Sequence, residues 1–452
     1  MLGHVAKGLA FAFLAGPWTE AELIARGRLA LGVGGRARWL RGLARRMLVA
    51  FPAAPIDRDD DLSGALRDDR ALQRRRWPSH LPAHPRQWLI PEATMVPVAG
   101  PPATFKVFAI PSHDVLARCL DVTADELAWF ADLRHMNAVR APSPALAHYH
   151  HRWVAKAPGG WRLLEEPKPR MKRIQRWLLR NVLAPIPVSD VAHGFVPGRG
   201  VRTFVAPHVG RAVVVRMDLQ DFFPSVSRAH VTALLRRVGY PRRVAAAIAG
   251  LCTAPTPDTV LAAHPRQGTD LTRRFLANQR LRDPHLPQGA PTSPALSNLA
   301  AWRLDRRLAG LAAAFGATMT RYADDLAFAG DETFAKSLRF FIPRVGAITL
   351  EEGFHINHRK TRVMHRGRRQ QLCGVVINDR MNLPRRERDR LRAILHNVAK
   401  HGLESQNREG RPEFRRHLEG RVAWAAALNP EFGARVFEER EDSANDDSPL
   451  IA

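Results

Sequence analysis

The 452-residue chain has only three cysteines, Cys119, Cys252 and Cys373, far apart and without CxxC spacing. That excludes a disulfide framework and a cysteine-based zinc set, and it fits a reducing cytoplasm. Long apolar runs are missing too. The segment Gly8-Leu9-Ala10-Phe11-Ala12-Phe13-Leu14-Ala15 resembles a short signal h-region. It is too short to span a bilayer, and helical patterning continues past it from Thr19-Glu20. Residues 1–50 therefore read as a small helical segment, and no membrane partner is expected. Acidic residues are scarce: 43 Asp+Glu stand against 69 Lys+Arg, a net charge of +26. That surplus suits a polyanionic partner, although an Arg-rich composition by itself would also give it.

The most informative residues present are Tyr322-Ala323-Asp324-Asp325, with apolar Leu326-Ala327-Phe328 following at once. Adjacent carboxylates repel and raise one another's pKa unless a positive charge lies between them. A second strand-like run, Val213-Val214-Val215-Arg216-Met217-Asp218, ends in a third carboxylate. Three aspartates on neighbouring strand ends can hold two magnesium ions for an in-line displacement at phosphorus.

The remaining pattern supplies a frame for these strands. Pro82, Pro85, Pro91, Pro97, Pro101 and Pro102 mark an extended linker or packing arm. Thr123 and Glu126 predict a capping box before a helix carrying Leu127, Trp129, Phe130 and Leu133. Trp153-Val154 and Trp161-Arg162-Leu163-Leu164, separated by Pro158-Gly159-Gly160, predict a hairpin, and Met171 to Leu183 a basic helix. Ser227 caps a helix through Val231, Leu234, Leu235 and Val238, closed by Gly239. Residues 253–286 are polar and read as a surface excursion. One long helix is expected from Pro294 to Gly316, then a strand pair over Met319–Phe328 with the aspartates at its tip, then a helix to Gly353. Two basic helices fill 384–437, and the acidic tail from Glu438 is expected to be disordered.

Five blocks in this order resemble the reverse transcriptases of bacterial retrons and related defence systems. They are Asp218-Leu219-Gln220-Asp221-Phe222-Phe223-Pro224-Ser225, Pro287-Gln288-Gly289-Ala290-Pro291-Thr292-Ser293-Pro294, Tyr322-Ala323-Asp324-Asp325, Gly353-Phe354 through Lys360-Thr361, and Gly374-Val375-Val376. The resemblance implies an α+β right-hand polymerase, with fingers, an antiparallel palm sheet backed by helices, and a helical thumb. It divides the chain into an N-terminal helical extension with linker (1–105), a helical lead-in (106–148), fingers and palm (149–380), a thumb (381–437) and the tail (438–452).

The resemblance also assigns roles. Asp218, Asp324 and Asp325 become the catalytic, metal-holding carboxylates for two Mg²⁺ ions. Asp221, Phe223, Gln288, Gly289, Arg162, Lys172 and Lys360 become nucleotide-binding residues, with Phe223 a steric gate against a ribose 2′-hydroxyl. Arg176, Arg199, His208, Arg385, Arg388 and Arg392 become nucleic-acid contacts. Two blocks depart from the family. Phe204-Val205-Ala206-Pro207-His208 lacks the leading asparagine of Asn-Ala-x-x-His, and Leu372-Cys373-Gly374 replaces Val-Thr-Gly. The implied partners are a structured non-coding RNA as template and primer, its DNA product, dNTPs and an effector protein from the same locus. The implied setting is anti-phage defence in the cytoplasm. A group II intron-type enzyme and a catalytically silent RNA-binding palm stay open as alternatives.

Overall fold

The computed structural model describes residues 2–33, 37–56, 58–74, 85–89, 95, 107–132, 146–156, 160–265 and 271–434. Pro82, Pro91, Pro97, Pro101 and Pro102 of the expected arm, Leu133, the Pro158-Gly159 turn and the tail from Glu438 lie outside these residues. The chain divides into two compact units built from separated segments. The first comprises Met1–His151, Pro167–Pro185 and Ser227–His264; the second comprises Arg152–Glu166, Ile186–Val226 and Pro265–Ala452.

The first unit is helical. Its leading helices are Leu2–Leu14, Glu20–Leu31, Arg38–Ala50 and Asp59–Asp68. Apolar residues three or four apart give each helix one buried stripe. Leu9, Phe13, Leu23, Leu40, Leu43, Leu62 and Leu66 close a core between them. The expected capping box forms: Glu126 N–H donates to Thr123 Oγ1 at 3.2 Å and Thr123 N–H to Glu126 Oε2 at 2.9 Å. It starts helix Ala124–Ala131. Ser227 caps Arg228–Val238, which ends at Gly239 in the left-handed region at φ 117. The basic helix is Pro169–Leu178, continued by a π-turn over Leu179–Leu183.

The second unit carries the palm. Strands β1 (Tyr149–Ala155) and β2 (Trp161–Pro167) pair as the expected hairpin. Strands β3 (Val213–Asp218), β4 (Thr318–Tyr322), β5 (Asp325–Gly330) and β6 (Arg362–His365) form one antiparallel sheet in the order β4-β5-β3-β6. Side chains alternate between its faces. On the back, Phe328 meets Phe341 of helix Glu332–Glu351, ring centroids 5.1 Å apart, and Phe315 and Phe334 pack on the same ring. On the front, Val214, Ala327 and Ala329 join a core with Leu391 and Val398 of helix Arg385–His401 and with Leu418 and Val422 of helix Phe414–Leu428. The short strands β7 (Gln371–Leu372) and β8 (Val375–Val376) belong to that core. Helix, sheet and helix together give the expected α+β architecture.

One expectation needs correction and another gains detail. The single helix from Pro294 to Gly316 is two, Ser293–Ala300 and Trp302–Ala314. Ser297 Oγ donates to the Pro294 carbonyl at 2.9 Å, and the break falls at Ala301 (φ −78, ψ 0). The expected surface excursion over 253–286 holds helices Asp258–Ala262 and Leu271–Arg282. The second is mostly exposed or half-buried, so it lacks the apolar stripe that announces a helix. Among the described residues no helix is long and apolar enough to cross a membrane.

Candidate active site

Antiparallel pairing of β3 with β5 sets Asp218 directly opposite Asp325. Between β4 and β5 the chain turns through Ala323, whose φ of 55 is left-handed. Such a conformation costs a residue with a Cβ about 1 kcal/mol or more, so the surroundings must enforce it. They do so from several sides. Leu219 N–H donates to Asp324 O at 2.8 Å. Gly194 lies flat against the turn, where an added Cβ would come within 2.5 Å of Ala323 N. Arg321, fully buried, donates through Nη1 to Ala323 O at 3.0 Å and to Asn298 Oδ1 at 2.9 Å. Its Nε and Nη2 form a fork on buried Asp305, both bonds 2.7 Å.

The strand-end carboxylates are treated unequally. Burial first, then the charges of Asp218 and Asp325, push the Asp324 carboxyl above its ordinary range; Lys360 partly offsets this. Lys360 Nζ lies 2.6 Å from Asp218 Oδ1. Arg216, diagonal to Asp325 across the strand pair, donates Nε and Nη2 to its Oδ1 at 2.9 and 2.7 Å. Cys373 Sγ lies 3.6 Å from Asp325 Oδ2. Burial, then the Asp325 charge, pushes that thiol up to about 12, so it stays protonated and donates. Among the described residues no three His, Cys, Asp or Glu side chains are grouped to hold a metal ion. The Asp218 and Asp325 charges both act on Asp324, and Asp325 is in addition tied to Arg216.

Further groups surround this pair. Asp221 (φ 50) accepts from Arg280 Nη1 at 2.9 Å and Gln220 Nε2 at 3.3 Å. Lys156, on the hairpin, has its pKa lowered by burial first; Asp221 and Asp218 oppose the shift, while Arg162 and Lys360 reinforce it. Those charges therefore share one neighbourhood. Arg162 is exposed there. Phe223 is half-buried, its ring centroid 5.9 Å from Phe222 and 6.1 Å from Phe195. Gln288 O accepts from Glu165 N–H at 2.8 Å. Gly289 (φ 133) presses so close that a Cβ would stand 3.0 Å from Glu165 O. Beneath them, buried Glu165 and His285 pair at 3.0 Å.

Other expected contacts fall elsewhere. His208 is fully buried, so it presents no surface to RNA. The Thr320 hydroxyl donates to Phe204 O at 2.9 Å, so His208 Nε2–H must donate to Thr320 Oγ1 at 2.6 Å. Burial first, then nearby Arg211, drops His208 to about 3, and it is a neutral core histidine. Arg199 Nη1 is committed to the carbonyls of Ser189, Asp190 and Ala192 at 2.8–3.0 Å, so it clamps a loop rather than offering a free cation. Lys172 and Arg176 lie on helix Pro169–Leu178 in the first unit, Lys172 half-buried and Arg176 exposed. Arg385 is exposed, Arg388 half-buried, and Arg392 lies over the Phe432 ring at 5.1 Å. Arg216, Arg321, Lys156 and Arg280 were not singled out by sequence reasoning. The first two had a usable signal: a cation inside an apolar strand needs a buried partner.

An antiparallel sheet with acidic strand ends, a strained turn between two of them and cations gathered around is the palm of a template-directed polymerase. Residues 154–399 match the family model described as reverse transcriptase (RNA-dependent DNA polymerase). Retron Mx65 reverse transcriptase of Myxococcus xanthus is 44% identical over 313 residues, 68% of this chain and 68% of that protein. Retron Mx162 reverse transcriptase of the same organism is 35% identical over 341 residues, 72% and 65%. Retron Ec86 reverse transcriptase of Escherichia coli is 28% identical over 240 residues, 52% and 65%. The matched region thus spans about two thirds of each relative. The chain belongs to the reverse transcriptase family, retron type, and is an RNA-directed DNA polymerase.

Proposed function

We propose that this chain copies part of a structured non-coding RNA into DNA from dNTPs, using two Mg²⁺ ions, within a retron unit that serves anti-phage defence in the cytoplasm. The observation that carries the reading is the elevated Asp324 carboxyl beside Asp218. A carboxyl raised by burial and by the neighbouring Asp218 charge is poised for a hard, oxygen-seeking cation. Asp218 and Asp324 would hold the ions, with Asp325 fixing the strand end through Arg216. Metal held by these carboxylates would supply Lewis acidity toward a 3′-hydroxyl and positive charge toward a triphosphate. The chain's own groups do the rest. Lys156, Arg162 and Arg280 supply positive charge for the phosphates. Lys360 balances Asp218 and can hand a proton to departing pyrophosphate. Phe223 walls the sugar, and the Gln288-Gly289 backbone permits close approach of the nucleotide. Exposed Arg385 on the front-face helix suits duplex phosphates.

Deep sequencing of nucleic acid co-purified with the full chain tests the partner. A discrete RNA–DNA hybrid from the neighbouring locus is expected. Heterogeneous host RNA with no DNA attached would defeat the retron reading, and intron RNA would point to a group II intron-type enzyme.

A further inference from the structure

Phe195 combines features that rarely coincide. Its side chain is large and apolar, yet 49% exposed. Its φ of 62 is left-handed, a conformation that bulky residues avoid. Strain of this kind persists only where the neighbouring structure enforces it, and it concentrates at functional sites. The enforcement is visible. His193 N–H donates to Arg321 O at 2.7 Å, and Asn298 Nδ2 donates to Gly194 O at 2.8 Å. Gly194 is pressed onto the Ala323 backbone. Arg199 closes the same loop through three carbonyls. The Phe195 loop is therefore registered to the catalytic turn through residues 193 and 194, and Arg199 closes the loop on itself beyond the phenylalanine. Its ring stands 6.1 Å from that of Phe223, tilted 39°. Phe223 also meets Phe222, which packs on Phe354 at 5.7 Å.

We infer that Phe195 is a specificity-determining positioning residue: its ring backs Phe223 and holds that ring at the height where it excludes a ribose 2′-hydroxyl. The inference rests on Phe223 acting as the sugar gate. Phe222 and Phe354 support one side of the gate from the core. Phe195 supports it from an exposed position. The backbone strain at residue 195 is what places an exposed ring there, and a residue in a relaxed conformation would turn its side chain elsewhere.

The test uses the purified full chain on poly(rA)·oligo(dT), comparing kcat/KM for dTTP with that for UTP. Phe195→Gly is the informative variant, because glycine accepts φ 62 without strain and removes the ring without burdening the fold. Phe195→Gly and Phe195→Ala should each lower the dTTP/UTP ratio about tenfold, and Phe223→Ala about a hundredfold. The double variant should match Phe223→Ala, since the support has nothing left to hold. Phe195→Tyr should keep the parent ratio. Equal losses with dTTP and UTP in Phe195→Gly, alongside a reduced ratio in Phe223→Ala, would overturn the role of Phe195 and leave the gate intact. A double variant whose ratio falls as the product of the two single effects would also overturn it. A parent-like ratio in Phe223→Ala would remove the gate itself, and this inference with it.

Discussion

The buried Arg321–Asp305 pair offers the sharpest energetic test. Both side chains are fully buried and joined by two 2.7 Å bonds. Removing one partner strands a charge in the interior, which costs about 3–5 kcal/mol. Arg321→Met and Asp305→Leu should each lower the thermal midpoint by about 10 °C at ~2–4 °C per kcal/mol. The double variant replaces the pair by apolar groups of similar size, so most of the loss should return. Activity should not return with it. Arg321 Nη1 also holds Ala323 O and Asn298 Oδ1, and nothing in Met can do so. Without those bonds the left-handed turn loosens, and displacement of a reacting group by about 1 Å lowers rate by up to ~10². Calorimetry and primer extension on the four proteins decide the matter. Additive destabilisation, or a double variant that extends primers like the parent, would refute the claim that this arginine props the catalytic turn.

Three further outcomes follow from the geometry. His208 is held at about 3 when folded, against an ordinary 6.5 when unfolded. A depressed pKa means that the unfolded chain takes the proton first, so stability falls as pH drops below 6.5. Between pH 7 and 5 this amounts to about 2 kcal/mol; His208→Gln should remove that part of the acid sensitivity in urea titrations, and an unchanged pH slope would contradict it. Arg216→Ala leaves Asp325 opposite Asp218 without its guanidinium, so extension should fall about tenfold or more and Arg216→Lys should recover only part; full activity in Arg216→Ala would deny the tie any role. Lys156→Ala should raise KM for dNTPs about tenfold with a smaller change in kcat; an unaltered KM would remove Lys156 from the triphosphate path.

Much of the palm was legible because its signals are local. A carboxylate closing an apolar strand, a Thr-x-x-Glu box and a Gly after a helical stripe each state their structure within a few residues. What escaped depends on register. Arg216 inside an apolar strand signals that a partner is needed, but only pairing of β3 with β5 shows that the partner is Asp325. The same pairing shows that Asp325 is tied while Asp324 carries the raised carboxyl, a division that the Asp324-Asp325 dipeptide does not announce. His208 misled because its role came with the block, whereas Thr320 and Phe204 enclose it. Helix Leu271–Arg282 was missed for want of an apolar face, and Arg280 on Asp221 went with it.

The central claim is that Asp218 and Asp324, repelling one another at the strand ends, are the seat of metal-dependent nucleotide addition. Primer extension by Asp324→Asn, run beside the parent across a Mg²⁺ titration, tests it most directly. The account predicts that the variant stays folded yet makes no measurable DNA at any Mg²⁺ concentration. Synthesis equal to the parent, with the same Mg²⁺ dependence, would contradict it.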